Sequence, residues 1–283
     1  MHTHHEHHHP EHHHGDDLAE LLDLDAEVLG DFHAGIVAWV GEHAGDPKRI
    51  VDLGAGTGAG TVRLLTRFPA ATAVAVDGSP QMLHRLAGHA ARLGLADRVR
   101  TVVADLDDGW PAEVGPAELV WATNSMHHMA DPVAVLRAAG EALTGGGVFA
   151  LFELDTFPSF LPEDQGVGRP GLERRLAAIM TRHRATDMPH LGGDWPATLA
   201  AAGLEVRAER RFTAELTAPP AAAGRYAHAS FTRTRQGLAG DLDADDLAAL
   251  DALLDERHPA SVLHRTDLVV RAERLGWIAG RPS

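Results

Sequence analysis

Ile50-Val51-Asp52-Leu53-Gly54-Ala55-Gly56-Thr57-Gly58-Ala59-Gly60 is the stretch that decides the fold. A strand-compatible start runs into glycines at 54, 56, 58 and 60, and a helical pattern opens at Thr61. A strand that turns through glycines into a helix is how a doubly wound α/β sheet begins a nucleotide site. The glycines act sterically. They permit positive φ and let a ligand approach the backbone where a Cβ would collide. The helix start beyond them offers unpaired N–H groups to an electron-rich ligand atom.

Working outward, residues 73–76 form a second apolar strand that ends in Asp77, 23 positions after Gly54. An acid there can accept both ribose hydroxyls of an adenosine ligand. Gly78-Ser79-Pro80-Gln81-Met82-Leu83 follows, with Ser79 placed to cap a helix and Pro80 at its first position. Residues 98–105 alternate as a third strand and close on Asp105-Leu106. A fourth strand, 117–122, runs into Thr123-Asn124-Ser125-Met126-His127-His128.

A dinucleotide fingerprint spaces its glycines as Gly-x-Gly-x-x-Gly, whereas these alternate strictly and Asp52 stands two residues before the first. That Asp-x-Gly-x-Gly-x-Gly pattern resembles the first motif of class I S-adenosylmethionine-dependent methyltransferases. Asp77-x-Ser-Pro-x-Met-Leu closely resembles the second motif of that family. The Asn-x-x-His-His end of strand 4 resembles its small-molecule members of the ubiquinone- and menaquinone-biosynthesis type. The resemblance implies S-adenosyl-L-methionine as cofactor, held by Asp52, Gly54, Ala55, Gly56 and Gly58 of the turn and by Asp77 and Gly78. It also implies Met82 beside the adenine, Asp105 and the Leu106 N–H at the adenine edge, and Asn124 along the methionine part. His127, His128 and, further on, His190 are the general bases that an acceptor proton would need, with at most one of the adjacent pair facing the cleft.

Composition sets limits on the rest. The 283 residues suffice for a full core, and their apolar runs are strand-length, so no membrane span is expected. There is no cysteine, which removes thiolate nucleophiles, disulfides and cysteine metal sites. A formal net charge of −15 disfavours a nucleic-acid partner and favours a small-molecule acceptor. A cytoplasmic location is expected. Nine histidines crowd residues 1–14, and their imidazoles suit a divalent metal, but no rigid element fixes them as a catalytic centre and no catalytic metal is assigned.

The domain map expected from these patterns has a disordered tail at 1–15, a helical cap at 16–46 and the cofactor core at 47–154. A substrate lid follows at 155–193, and 194–283 completes the sheet with a helical insertion. The lid carries Phe157 and Phe160 as aromatic walls and Arg174, Arg175, Arg182 and Arg184 as guanidinium groups for an acidic acceptor, and Glu153 stands before it as a substrate contact. Asp194 reads as a helix N-cap, 204–216 as strand 6, 238–257 as an acidic helix facing a basic one at 219–237, and 266–272 as a last strand. The fold class is α/β: a Rossmann-like sheet of seven strands, the last antiparallel. Methyl transfer to a small molecule is the leading function. An NAD(P)-dependent oxidoreductase and a non-catalytic metal-binding or regulatory protein on the same fold are the alternatives, and the oligomeric state is undetermined.

Overall fold

A computed structural model describes residues 10–282, with the backbone alone at 10–15 and 184–187. Seven strands form one sheet: β1 (Arg49–Leu53), β2 (Thr72–Asp77), β3 (Val99–Val103), β4 (Ala117–Thr123), β5 (Leu143–Glu153), β6 (Glu205–Leu216) and β7 (Val270–Gly280). Their spatial order is β3-β2-β1-β4-β5-β7-β6. β1 to β5 pair in parallel, and β7 runs antiparallel to both β5 and β6. β1 is central, with Val51 beside Val74 of β2 and Val120 of β4. Burial on both faces explains why it reads as a continuous apolar run.

The helices alternate with the strands as the sequence requires. They are α1 (Pro10–Val28), α2 (Gly30–Ala44), α3 (Ala59–Arg67), α4 (Pro80–Arg92), α5 (Pro132–Ala142), α6 (Leu172–Asp187), α7 (Trp195–Ala201), α8 (Ala223–Leu238) and α9 (Ala244–Leu254). Caps fix several starts. Ser79 accepts from the Met82 N–H, Asp131 from Ala134 and Asp194 from Ala197. Arg98 closes the far end of α3, donating to the Leu65 and Phe68 carbonyls that the helix leaves unpaired.

α2 and α3 cover one face of the sheet, and α5 with α7 covers the other. On the first face Trp39 of α2 meets the rings of Phe152 and Phe212 at centroid distances of 6.0 and 5.5 Å. A separate core gathers residues of α1, α6, α8 and α9 around Val270 and Ala272 of β7. The expected cap (16–46) and lid (155–193) thus share one core with α8 and α9 of the C-terminal part.

Three expectations need correction. The helix expected over 16–43 is two helices meeting at Leu29, whose φ of −100° and ψ of 28° end the first run. The first of them already begins at Pro10, so residues 10–15 are helical; the tail at 1–9 lies outside the described residues. The last strand is 270–280, not 266–272. Glu273 and Arg274 hid its extent, because a charged pair mid-strand has no local rationale; Arg274 is buried beside Asp25 of α1. The expected charge pairing of 219–237 with the acidic helix holds at Arg235 and Asp251, while Asp246 turns to Arg175 of α6.

Gly276 lets β7 pass under the Phe152 ring: a Cβ there would come within 2.4 Å of Phe152 Cε1. Gly276→Ala should therefore cost about 1–3 kcal/mol by overpacking, read as a lower urea midpoint at unchanged slope.

Candidate active site

The carboxyl edge of the sheet opens into a cleft of about 430 Å³ between the β1–α3 turn, the ends of β2 and β4, and α1 and α2. At its base the chain leaves β1 through Gly54 with φ of 68°, and a Cβ there would lie 2.3 Å from Ser125 Cβ. Ser125 in turn donates its hydroxyl to the Leu53 carbonyl at 2.8 Å. Only glycine meets both conditions. Gly58, with φ of 89°, stands 2.4 Å from Leu86 by the same test and is not on the cleft wall; its work is the close seat of α3 on α4.

Asp77 ends β2 with its carboxylate on the wall. One oxygen accepts the Gly56 N–H and the other the Ser79 N–H, each at 2.8 Å. These bonds hold the group still while lone pairs remain for a ligand's hydroxyls. Ala55, Gly56, Gly78, Met82, Asp105 and Leu106 line the same cleft. Asp105 also accepts the Asp107 N–H. Asn124 holds a positive φ of 52°, the one non-glycine residue to do so among the described residues. Its buried Oδ1 has no partner, an unmet acceptor on the cleft wall.

Asp52 does something else. It is buried, off the cleft wall, and accepts the Thr61 hydroxyl at 2.5 Å, tying β1 to the first turn of α3. Burial pushes its carboxyl up to about 7, opposed by the Thr61 hydrogen bond and reinforced by the Asp77 charge. It belongs to the scaffold beneath the site.

The adjacent histidines separate. His127 is buried, its Nδ1 2.5 Å from Glu153 Oε2, and Glu153 also accepts the Met126 N–H at 2.8 Å. Glu153 is therefore the buried anchor of the 124–128 turn, and not a substrate contact. His128 lines the cleft. Burial, and then the neighbouring His127, holds its pKa below the ordinary value, against a smaller opposing pull from Glu153. His190 does not line this cleft. Arg174 and Arg175 are turned to Glu163 and Asp246.

Sequence reasoning missed a polar cluster brought in by the cap. Asp25 of α1 meets His33 Nε2 of α2 at 2.8 Å and the Tyr226 hydroxyl of α8 at 2.5 Å, with the Arg274 guanidinium 3.8 Å away. Burial alone would raise the Asp25 carboxyl; His33, Arg274 and Tyr226 outweigh it and hold it near 2. Asp25, His33 and Arg63 all line the cleft. Their only sequence signal was membership of amphipathic helices, with Tyr226 the single tyrosine of the chain. Among the described residues no group of three or more acidic or histidine side chains is arranged to hold a metal. Most of the tail histidines lie outside those residues.

Residues 51–149 match the family profile described as "Methyltransferase domain". Over that segment the chain resembles a methyltransferase domain. Trans-aconitate 2-methyltransferase of Streptomyces avermitilis is 32% identical over 117 residues, 41% of this chain and 43% of that protein. The malonyl-[acyl-carrier protein] O-methyltransferase of Dechloromonas aromatica is 36% identical over 108 residues, 38% of this chain and 37% of that one. The chain thus spans less than half the length of these curated relatives. A crystal structure of a putative methyltransferase from Bacillus halodurans shares the fold at a TM-score of 0.55, with 16% identity, covering 87% of this chain and 99% of that one. The matched segment contains the turn, Asp77, Asp105, Asn124 and His128. It excludes the cap helices that bring in Asp25, His33 and Tyr226.

Two measurements check these assignments. Asp52 keeps its proton in the fold to about pH 7 but loses it near 3.8 when unfolded, so its contribution is full below 3.8 and lost as pH rises through 7. Asp52→Asn keeps an acceptor for Thr61 and should gain on the order of 2–4 kcal/mol over wild type at pH 8, the gain vanishing toward pH 4 in urea titrations. The His128 ring should titrate below its ordinary value of 6.5 when followed by NMR, leaving it neutral at physiological pH.

Proposed function

We propose that this chain transfers a methyl group from S-adenosylmethionine to a small-molecule acceptor. The observation that carries the reading is Asp77: its carboxylate is pinned by the Gly56 and Ser79 N–H groups at the mouth of a glycine turn and faces the cleft. The residues present fit the cofactor. Asp77 accepts the ribose hydroxyls, and Asp105 and the Leu106 N–H meet the adenine edge beside Met82. The unpartnered Asn124 Oδ1 accepts an ammonium proton of the methionine part. Arg63 and His33, on the same wall, supply donors for its carboxylate.

When bound, the cofactor supplies an activated methyl on sulfur, so the chemistry asks little of the protein beyond alignment and exclusion of water. α1 and α2 close over the cleft, and Leu18, Leu22, Ile36 and Val37 give it an apolar roof. Where the acceptor must lose a proton, His128 takes it, since its depressed pKa keeps the imidazole neutral. His127, held by Glu153, positions the turn that carries His128. A cytoplasmic setting is part of the proposal.

Calorimetric titration of S-adenosylmethionine, S-adenosylhomocysteine and NAD into wild type and Asp77→Ala tests it. The two sulfur compounds should bind, NAD should not, and the substitution should weaken them at least tenfold, about 1.4 kcal/mol. NAD binding in their place would make the chain an oxidoreductase. Binding of none of the three would leave a fold without the activity.

A further inference from the structure

A second cavity of about 420 Å³ lies under the cap. It meets the cofactor cleft at one bond: Asp25 lines the cleft, Tyr226 lines the second cavity, and their side chains are 2.5 Å apart. Its walls are largely apolar, with Leu21 of α1, Phe160 of the segment after β5, Leu176 and Met180 of α6, and Phe231 and Leu238 of α8. A volume of this size suits a bicyclic or short-chain molecule.

The charged groups on the wall are not equivalent. Both carboxylate oxygens of Glu173 are taken, accepting the Phe160 and Leu161 N–H groups at 2.8 Å. Asp155 is itself engaged. Of the lid arginines expected to meet an acidic acceptor, Arg174 and Arg175 pair with Glu163 and Asp246, Arg182 is exposed and off the cavity wall, and the Arg184 side chain lies outside the described residues. Arg233 of α8 lines the cavity half-buried, and no hydrogen bond or ion pair engages it among the described residues. A guanidinium on an apolar wall, partly cut off from water, favours an anion that can take two of its N–H groups.

Spacing adds a dimension. Tyr226, Ser230, Arg233 and Gly237 recur at steps of four, three and four and form the stripe of α8 that faces the cavity. Seven residues at about 1.5 Å rise put Arg233 roughly 10 Å along the helix from Tyr226. One end of the cavity therefore adjoins the cofactor cleft, and Arg233, without a partner among the described residues, is carried on α8 two turns further along.

We propose that this cavity is the acceptor site, and that it selects an apolar, elongated molecule with an anionic group at the end opposite the atom presented at the Asp25–Tyr226 junction. The inference rests on the methyl-transfer reading for the word acceptor; the binding chemistry stands apart from it. Asp25 and Tyr226 form the threshold between the two compartments, and Arg233 fixes which way round the ligand enters.

The probe is 6-hydroxy-2-naphthoate, with a hydroxyl at one end and a carboxylate at the other, compared with its neutral methyl ester. Binding of each is measured by fluorescence titration with S-adenosylhomocysteine present. The acid should bind at least tenfold more tightly than the ester. Arg233→Leu should erase that preference, Arg233→Lys should keep most of it, and Ser230→Trp, which fills the cavity, should abolish binding of both. Equal affinity of acid and ester, a preference that survives Arg233→Leu, binding that survives Ser230→Trp, or no binding of either probe overturns the proposal. S-adenosylhomocysteine titrated into each variant reports an intact cleft. If that compound fails to bind while the naphthoate pattern holds, the methyl-transfer reading falls and the anion-selecting cavity stands.

Discussion

The structure turns on the close approach of two strand ends. Where β1 gives way to α3, Ser125 from the end of β4 packs into the space that a side chain at position 54 would occupy, and bonds back to the Leu53 carbonyl. Without a Cβ at Gly54 the chain can take a positive φ and still lie against its neighbour. This contact sits where the sheet's connections diverge, β1 having β2 on one side and β4 on the other. Open α/β sheets leave a crevice at such a point. Asp77, Asn124 and His128 face the same cleft because Asp77 ends β2 and the other two follow β4, the strands on either side of β1.

A second constraint is electrostatic and joins distant parts of the chain. Asp25, His33, Tyr226 and Arg274 come from α1, α2, α8 and β7, and their side chains meet at the cleft wall, Tyr226 and Arg274 buried and Asp25 and His33 partly so. Burying a carboxylate and a guanidinium costs more than one pair recovers, so such a cluster adds little net stability. It does specify geometry. The carboxylate is satisfied only when α1, α8 and β7 are all in place, which fixes the cap over the sheet and sets the boundary between the two cavities. The scaffold below behaves differently: Asp52 is held neutral to about pH 7 by burial and serves α3, not a ligand.

The methyltransferase profile covers residues 51–149 and so stops short of this cap, matching the segment that carries the glycine turn and Asp77. That division is physical. A cofactor common to many enzymes imposes the same turn, the same acid and the same strand order. An acceptor specific to one enzyme is met by a surface that nothing else constrains. Fold similarity at 16% identity thus speaks for the sheet and says nothing of the acceptor.

Much of the core was legible because its signals are local. Strand, glycine turn, helix and terminal acid lie within 28 residues from Ile50 to Asp77, and the caps at Ser79, Asp131 and Asp194 act over three residues. The glycine pattern, the alternation of β3 and the absence of cysteine by themselves determined the fold class and the kind of ligand the carboxyl edge suits. Local pattern could not say which way a side chain faces among equals. His128 reaches the cleft while His127 is pulled inward by Glu153, and Asp52 serves Thr61 although it belongs to the motif. Nor could it extend β7 past two charged residues or join Asp25 to Tyr226 across 201 positions. Those outcomes belong to tertiary structure, because a buried charge chooses its partner by distance in space after the chain has packed, and sequence separation carries no record of that distance.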